Sequence, residues 1–177
     1  PPLSYVSLLP AVLIGKILHL SPVFVVYGYI VALIAFAAAL ISSILKRWDF
    51  LEEDDRLALI AGFLAGATII SSVSFAEREQ VLFLGLVPLA LVQLSLTWGY
   101  GLPKKLQWGA LAFGAVCVLL KPHFGIIPVA LLIHRAVVQR RLFSLVWDAD
   151  SICLSLGVSA YLAFSFLFFP DYFSIVL

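Results

Sequence analysis

The chain has 177 residues, of which 63% are hydrophobic and only 12% charged, and its formal net charge is +1. Soluble domains carry about 25% charged and about 45–50% apolar residues. A soluble domain of this length does not have enough interior to bury so much apolar surface. The composition therefore predicts a polytopic integral membrane protein, with membrane lipids and no nucleic acid among its partners.

The apolar runs, taken in chain order, predict the helices. A membrane-spanning helix needs about 20 residues, within a range of roughly 17–25. The first run, 3–20, contains Pro10, Lys16 and His19, and we favour an interfacial or re-entrant helix at the outer face over a span. Six later runs are predicted to span, namely 22–46, 56–74, 81–97, 107–120, 124–139 and 150–169. We therefore expect an all-α transmembrane helical bundle with about six spanning helices.

The chain reads as one transmembrane domain over residues 1–177, because no long polar segment divides it. It begins with Pro1 and contains no methionine, which is typical of the interior of a protein. We therefore expect the sequence to be a fragment of a longer chain. Cys117 and Cys153 lie in apolar runs without the spacing of metal ligands, so we expect them to be buried as small apolar side chains.

The distribution of basic residues predicts the orientation. Eight of the 11 lysines and arginines fall in the loops at 46–56, 98–106 and 135–149. Such an excess marks the cytoplasmic side. Only three basic residues remain for the outer face: Lys16, Arg78 and Lys121. Tryptophans favour membrane boundaries, and four of them lie near the predicted inner boundary, at Trp48, Trp98, Trp108 and Trp147.

Two short turns at the outer face concentrate polar residues, "FAEREQ" at 75–80 and "KPHF" at 121–124. The run 107–120 rises only about 21 Å, which is less than a hydrocarbon core of about 30 Å. The turn at 121–123 should therefore be recessed below the outer surface. Ionisable groups at that depth usually line a cavity or a ligand pathway.

The chemistry of these turns suits a phosphate or diphosphate. Arg78 offers a planar fork of donors, Lys121 a point charge and His123 a further donor when protonated. Glu77 and Glu79 could orient the arginine, or bind sugar hydroxyls or a metal. The alternative is a solvated salt bridge between a glutamate and Arg78, with Lys121 extending to water. On the first interpretation, Arg78 and Lys121 should lie within about 10 Å of each other, the spacing of packed helices.

Three stretches resemble bacterial polytopic glycosyltransferases of the GT-C superfamily. "FAEREQVLFLGLVPLALVQ" is similar to an Arg-Glu-His turn followed by a proline-containing helix in that superfamily. "CVLLKPHFGIIPVALLIHRAVVQRR" is similar to its Lys-Pro-His-Phe turn, helix and arginine tail, and "PPLSYVSLLPAVLIGKIL" resembles a Pro-Pro-Leu stretch that follows the first periplasmic loop. Arg78 and Glu79 match the first motif, although Gln80 stands where histidine is expected. The second motif is matched at every position, Lys121, Pro122, His123 and Phe124.

The resemblance implies a membrane glycosyltransferase at the outer face of the bacterial inner membrane, facing the periplasm. It would pass a sugar from a polyprenyl-phosphate donor to an acceptor. Arg78, Lys121 and His123 would bind the donor phosphate, while Glu77, Glu79 and Gln80 would orient these groups or contact the sugar. The catalytic carboxylate is expected upstream of Pro1, so no catalytic residue is assigned. No cofactor is implied, and a divalent metal stays open as an alternative.

Two alternatives from other classes stay open. A transporter or flippase-like subunit would also bring short, proline-marked helices together at a polar cluster. A non-catalytic accessory subunit of a larger membrane complex would be held by helix packing against partner subunits and by lipid contacts.

Overall fold

The protein is all-α, as the apolar runs predicted. A computed structural model describes residues 8–74, 78–118, 122–140 and isolated positions between 151 and 163. The first three ranges form α1 (Leu9–Leu18), α2 (Pro22–Leu45), α3 (Glu53–Ser74), α4 (Arg78–Thr97), α5 (Lys104–Val118), a 3-10 turn (Pro122–Gly125) and α6 (Ile126–Gln139). The positions described between 151 and 163 are helical, within the predicted run 150–169.

Three helices begin a few residues before the apolar runs that predicted them. The first turn of α3 contains Glu53, Asp54 and Asp55, whose charges complement the positive end of the helix dipole. The first turn of α4 likewise contains Glu79. Arg78, Glu79 and Gln80 therefore belong to α4, and the expectation that they form part of a turn at 75–80 is wrong. Apolar runs locate the hydrophobic part of a helix, whereas a helix can extend beyond it through a polar first turn.

Helix α4 is the centre of the bundle and packs against α2, α3, α5 and α6. Near its start, Val81 packs with Ile30 of α2 and Cys117 of α5. Nearer its end, α4 shares a second cluster with the end of α2 and the start of α5, formed by Leu40, Ile44, Leu89, Val92, Ala110 and Leu111. Helices α2 and α4 are therefore parallel and α5 runs antiparallel to them, as short connections between successive helices require.

Two glycines bring the backbones of α4 and α5 close together. A Cβ atom added to Gly114 would lie 2.6 Å from Leu89 Cδ1 and 2.8 Å from the Gly85 carbonyl oxygen. A Cβ atom added to Gly85 would lie 2.6 Å from Cys117 Sγ. Small residues that permit such an approach are typical of helix contacts inside membranes. Cys117 is buried as expected, while Cys153 lies outside the described residues.

Helix α6 crosses α4 obliquely. Gln93 Nε2 donates a hydrogen bond to the Pro128 carbonyl at 3.1 Å, and Gln139 Nε2 donates to the Leu96 carbonyl at 2.8 Å. These contacts are about 5 Å apart along α4 but about 16 Å apart along α6, at 1.5 Å per residue. Gln93 is also about 22 Å from the start of α4. Helix α6 therefore begins beside the second half of α4 and does not run along its whole length.

Among the described residues, two helical segments are long and apolar enough to cross a membrane, Pro22–Leu45 and Glu79–Thr97. Helices α1 and α6 are apolar but shorter. Helix α1 has 10 residues and is about 15 Å long. It packs on the start of α2, where a Cβ atom on Gly15 would lie 3.3 Å from Val25 Cγ2. Helix α1 is shorter than a hydrocarbon core, but residues 3–7 lie outside the described residues, and the interfacial or re-entrant interpretation of 3–20 stays a prediction.

Candidate functional site

The described parts of the two predicted polar segments connect to the same end of the bundle, since Arg78–Gln80 opens α4 and Pro122–Gly125 follows α5. Val81, in the first turns of α4, packs with Cys117 near the end of α5. The 3-10 turn follows α5, and a Cβ atom on Gly125 would lie 3.7 Å from Val118 Cγ1. Arg78–Gln80 thus opens α4 beside the end of α5, and Pro122–Gly125 leads from the level of Val118 toward Pro128, which contacts Gln93.

The predicted site residues differ in how far the structure describes them. Arg78 begins α4 and His123 lies in the 3-10 turn, but their side chains are outside the described part of the chain. Glu77 and Lys121 are outside it entirely. Glu79 is half-buried and Gln80 is 0% exposed. The approach of Arg78 to Lys121 within about 10 Å remains a prediction based on helix packing.

The described residues on the two sides of 119–121 lie at different levels along α4. Val118 lies near the level of Cys117 and Val81, whereas the Pro128 carbonyl contacts Gln93 in the second half of α4. The described turn Pro122–Gly125 therefore leads from the level of Val118 toward that of Gln93. Pro122 starts this turn, which agrees with the expectation that the proline begins a helical segment.

A group of buried polar side chains was not anticipated from the sequence. Gln93 is 1% exposed, Ser95 and Thr97 are also buried on α4, and Arg135 on α6 is 5% exposed. The hydroxyls of Ser95 and Thr97 donate to the carbonyls of Leu91 at 2.7 Å and Gln93 at 2.8 Å. Gln93 Oε1 accepts no hydrogen bond within the described structure. The alternation of polar residues in "QLSLT" at 93–97 is the signal that could have located this group.

The expectation for Arg135 needs correction. It was counted with the cytoplasmic loop 135–149, but it lies inside α6 and is buried. Helix α6 continues to Gln139 because its apolar run does, and Leu132, Arg135 and Ala136 share the buried face. Val129, Ile133 and Val137 are exposed on the same helix. Arg135 is thus inside the bundle, whereas these three apolar side chains are outside.

Four aromatic rings form a cluster at the opposite end of the bundle from the predicted site, Trp48, Phe50, Trp98 and Tyr100. The centroids of Trp48 and Trp98 are 5.2 Å apart, and Phe50 stacks on Trp48 at 5.7 Å. Trp48 Nε1 donates to Ser95 Oγ at 2.8 Å in a buried position. The loop after α2 therefore meets the end of α4, so Trp48 and Trp98 lie at one end as predicted. Trp108 is exposed, and Trp147 lies outside the described residues.

The end of α4 is also capped at this side. Gly99 has φ +79°, and Tyr100 N–H donates to the Ser95 carbonyl at 2.9 Å, which is the pattern of a Schellman motif. A side chain at position 99 would be strained in this left-handed conformation. Gln139 adds a cap from another helix, since its amide donates to the Leu96 carbonyl. The ends of α2, α4 and α6 are thereby joined.

Comparisons with known proteins leave the resemblance as a prediction, because no family model, curated protein or solved structure shows a significant match to this chain. Within the described ranges, no three His, Cys, Asp or Glu side chains come together as a metal site.

Proposed function

We propose that this chain is the transmembrane part of a GT-C-type glycosyltransferase, which moves a sugar from a polyprenyl-phosphate donor to an acceptor at the outer face of a bacterial inner membrane. The proposal combines the resemblance of the two motifs with the packing of the start of α4 against the end of α5, the helix ends from which the motifs extend. Arg78, Lys121 and His123 would hold the donor phosphate and neutralise the charge that grows on it as it leaves.

The membrane placement is supported by the distribution of polar and apolar side chains. Gln80, Gln93 and Arg135 are buried, whereas large apolar side chains such as Phe24, at 79% exposed, cover the outside. In water this arrangement would be costly, because apolar area is exposed and polar groups are desolvated. In a bilayer it is favourable, since the hydrocarbon solvates the exterior and polar groups pair inside.

Six crossings are retained in this proposal. Helices α2 and α4 meet the length and composition of spans, and α3, with 22 residues, is about 33 Å long. Helix α5 and the run 150–169 complete the hairpins, and the turn Pro122–Gly125 with α6 forms one oblique crossing.

The observation that carries the donor site is the descent from Val118 to Pro128. It supports a recessed position for Pro122–Gly125, and the packing of Val81 against Cys117 brings the start of α4, where Arg78 lies, next to the end of α5. A recessed cationic site is suited to a lipid-linked phosphate, because the phosphate sits at the membrane boundary while its polyprenyl chain stays in the hydrocarbon. Glu79 would orient Arg78, and Glu77 would contact the arginine or sugar hydroxyls.

The test is sugar transfer by the purified intact protein from a polyprenyl-phosphate sugar. Arg78→Lys should lower the turnover rate although the charge is kept, because an ammonium group cannot bridge two phosphate oxygens as a guanidinium does. Lys121→Ala should weaken donor binding and lower the rate together. The exposed Lys16 provides a control on the same face, and Lys16→Ala should retain wild-type transfer. Equal activity per folded molecule in all variants would contradict the proposed site.

The membrane topology is tested separately with engineered cysteines and an impermeant thiol reagent. We call the end of the bundle that holds Trp48 and Trp98 the basic end. Asp54→Cys and Arg140→Cys should be labelled only from the cytoplasmic side, because both positions are exposed at this end. Labelling of either position in intact cells would contradict the orientation.

An accessory subunit is the second candidate, favoured by one surface of α2. Phe24, Tyr27 and Val31 are exposed at helical spacing and form an apolar ridge. Such a ridge can pack against a helix of a partner subunit as well as against lipid. Pull-down of a stoichiometric partner that is lost in Phe24→Ala, together with absent sugar transfer, would favour this candidate.

A further inference from the structure

An open cavity lies at the basic end of the bundle, between the end of α2 and the start of α5. Its volume is about 440 Å³, and it is lined by Ser43, Lys46, Arg47, Pro103 and Leu106. Helix α2 ends at Leu45 and α5 begins at Lys104. Lys46 and Arg47 thus directly follow α2 and line the cavity. Lys104 and Lys105 are the first two residues of α5. We call this cavity the basic groove.

The positive charges around the basic groove are available for a ligand. Lys46, Arg47, Lys104 and Lys105 are exposed, and in the described part of the chain their side chains form no hydrogen bond or ion pair. The first turn of α5 adds N–H groups without helical acceptors and the positive end of the helix dipole. Among the acidic residues of the neighbouring loop, Asp49 is exposed two residues after Arg47. Glu53, Asp54 and Asp55 lie in the first turn of α3, where Asp55 Oδ2 accepts from Glu52 N–H at 3.4 Å.

The shape of the basic groove favours a lipid over a free anion. Pro103 and Leu106 give one wall an apolar character, while Lys46 and Arg47 supply charge. Phosphate esters are recognised by the planar fork of arginine and the point charge of lysine. Basic pockets between helices on the cytoplasmic side bind anionic lipid headgroups.

We infer that the basic groove binds the phosphate of an anionic phospholipid headgroup from the inner leaflet. The inference rests on the membrane placement proposed above but not on sugar transfer. Lys46 and Arg47 would contact the phosphate oxygens, the start of α5 would face the same anion, and Leu106 would contact the glycerol and first acyl carbons.

The first test measures phosphatidylglycerol binding by the full chain in phosphatidylcholine nanodiscs, by native mass spectrometry over a range of phosphatidylglycerol contents. The double variant Lys46→Gln/Arg47→Gln should bind phosphatidylglycerol on the order of tenfold more weakly. The control Lys16→Gln/Arg140→Gln removes the same charge from exposed positions outside the groove and should change binding less than about twofold. Equal losses in the two double variants would overturn the site.

The second test alters the shape of the groove and keeps its charge. Ser43→Phe should fill the cavity and weaken phosphatidylglycerol binding. Thr68→Phe is the matched control, since both hydroxyls donate at 2.8 Å to the carbonyl one turn earlier, of Ala39 and Leu64 respectively. Unchanged binding in Ser43→Phe would show that diffuse surface charge attracts the lipid, and the inference would be wrong. Thermal unfolding in pure phosphatidylcholine should be alike in both variants, which keeps a folding defect distinct from lost binding.

Competition distinguishes the two sources of the phosphate. Soluble glycerol 3-phosphate should not displace phosphatidylglycerol at concentrations equal to that of the lipid, because it lacks the acyl chains. Displacement at equal concentration would assign the groove to a free phosphate ester and overturn the lipid. A chain that fails to enter nanodiscs would contradict the membrane placement itself, whereas one that enters but shows no preference for phosphatidylglycerol contradicts only the groove.

Discussion

The two ends of the bundle are built in different ways. At the basic end, Trp48, Ser95 and Gln139 link the ends of three helices through directed hydrogen bonds. At the other end, α4 and α5 meet through Gly85 and Gly114 with little room for side chains. The basic end therefore depends on particular polar and aromatic groups, and the α4–α5 contact depends on the absence of side chains.

This difference indicates a division of roles. Aromatic rings and capped helix ends at the basic end fix the register of α2, α4 and α6 relative to one another. The close contact of α4 with α5 fixes their spacing, so that the start of α4 and the end of α5 stay together. The polar residues proposed for the donor can then occupy the outer end without also having to hold the helices in place.

The largest expected effect comes from removing the centre of the aromatic cluster. Trp48→Ala should lower the free energy of unfolding by about 3–5 kcal/mol, because a buried ring is deleted and a cavity is left. Trp108→Ala is the control, since Trp108 is 43% exposed, and its effect should be much smaller. Thermal or denaturant unfolding in one detergent compares the two. Similar losses would show that the cluster has no special part in stability.

The second prediction concerns the helix contact. Gly114→Ala should destabilise by about 1–3 kcal/mol, because the new methyl group would overlap Leu89 and the Gly85 backbone. Gly109→Ala in the same helix meets open space and should be neutral or stabilising by up to about 1 kcal/mol. The same unfolding measurement applies. A stabilised Gly114→Ala variant would mean that α4 and α5 are further apart than described.

A third prediction isolates one hydrogen bond of the basic end. Ser95→Ala should cost about 1–3 kcal/mol, because the buried Trp48 N–H loses its acceptor. In a Trp48→Phe background, which has no such donor, the same change should cost much less. Equal costs in both backgrounds would assign the effect of Ser95 to something other than this bond.

The smallest expected effect is at the cap from α6. Gln139→Ala should cost about 0.5–1.5 kcal/mol, because the last carbonyls of α4 lose a donor in a partly exposed position. Gln107→Ala, at a half-buried position on α5, provides the comparison. Hydrogen exchange at Trp98–Tyr100 should rise in Gln139→Ala and stay unchanged in Gln107→Ala.

Sequence reasoning located the helices because long apolar runs and polar breaks directly determine them. It could also place Trp48 and Trp98 at one end. When successive helices are antiparallel, every second connection lies on the same side of the bundle. It missed the buried Arg135 because a charge near the end of an apolar run was counted with the following loop. Only packing shows that α6 turns this residue inward.

The donor site was less accessible to sequence reasoning than the fold. Motif resemblance and the shortness of the run 107–120 suggested a recessed turn, and the contact of Pro128 with Gln93 supports such a descent. The burial of Gln80 was not predicted, because a neutral amide within the polar segment 75–80 is expected to be exposed to water. Gln80→Ala should therefore perturb folding of this end as well as any sugar contact.

The oblique, arginine-containing α6 has a consequence for how the chain enters the membrane during synthesis. An arginine at the centre of an isolated helix disfavours insertion by about 2.5–3.5 kcal/mol, and less toward the ends of the helix. With only 14 residues, α6 has little apolar length to offset that cost. We expect α6 to leave the insertion channel together with α4, the helix against which it packs. Glycosylation-site mapping of α6 alone should therefore show poor insertion, and mapping of α4–α6 should show efficient insertion.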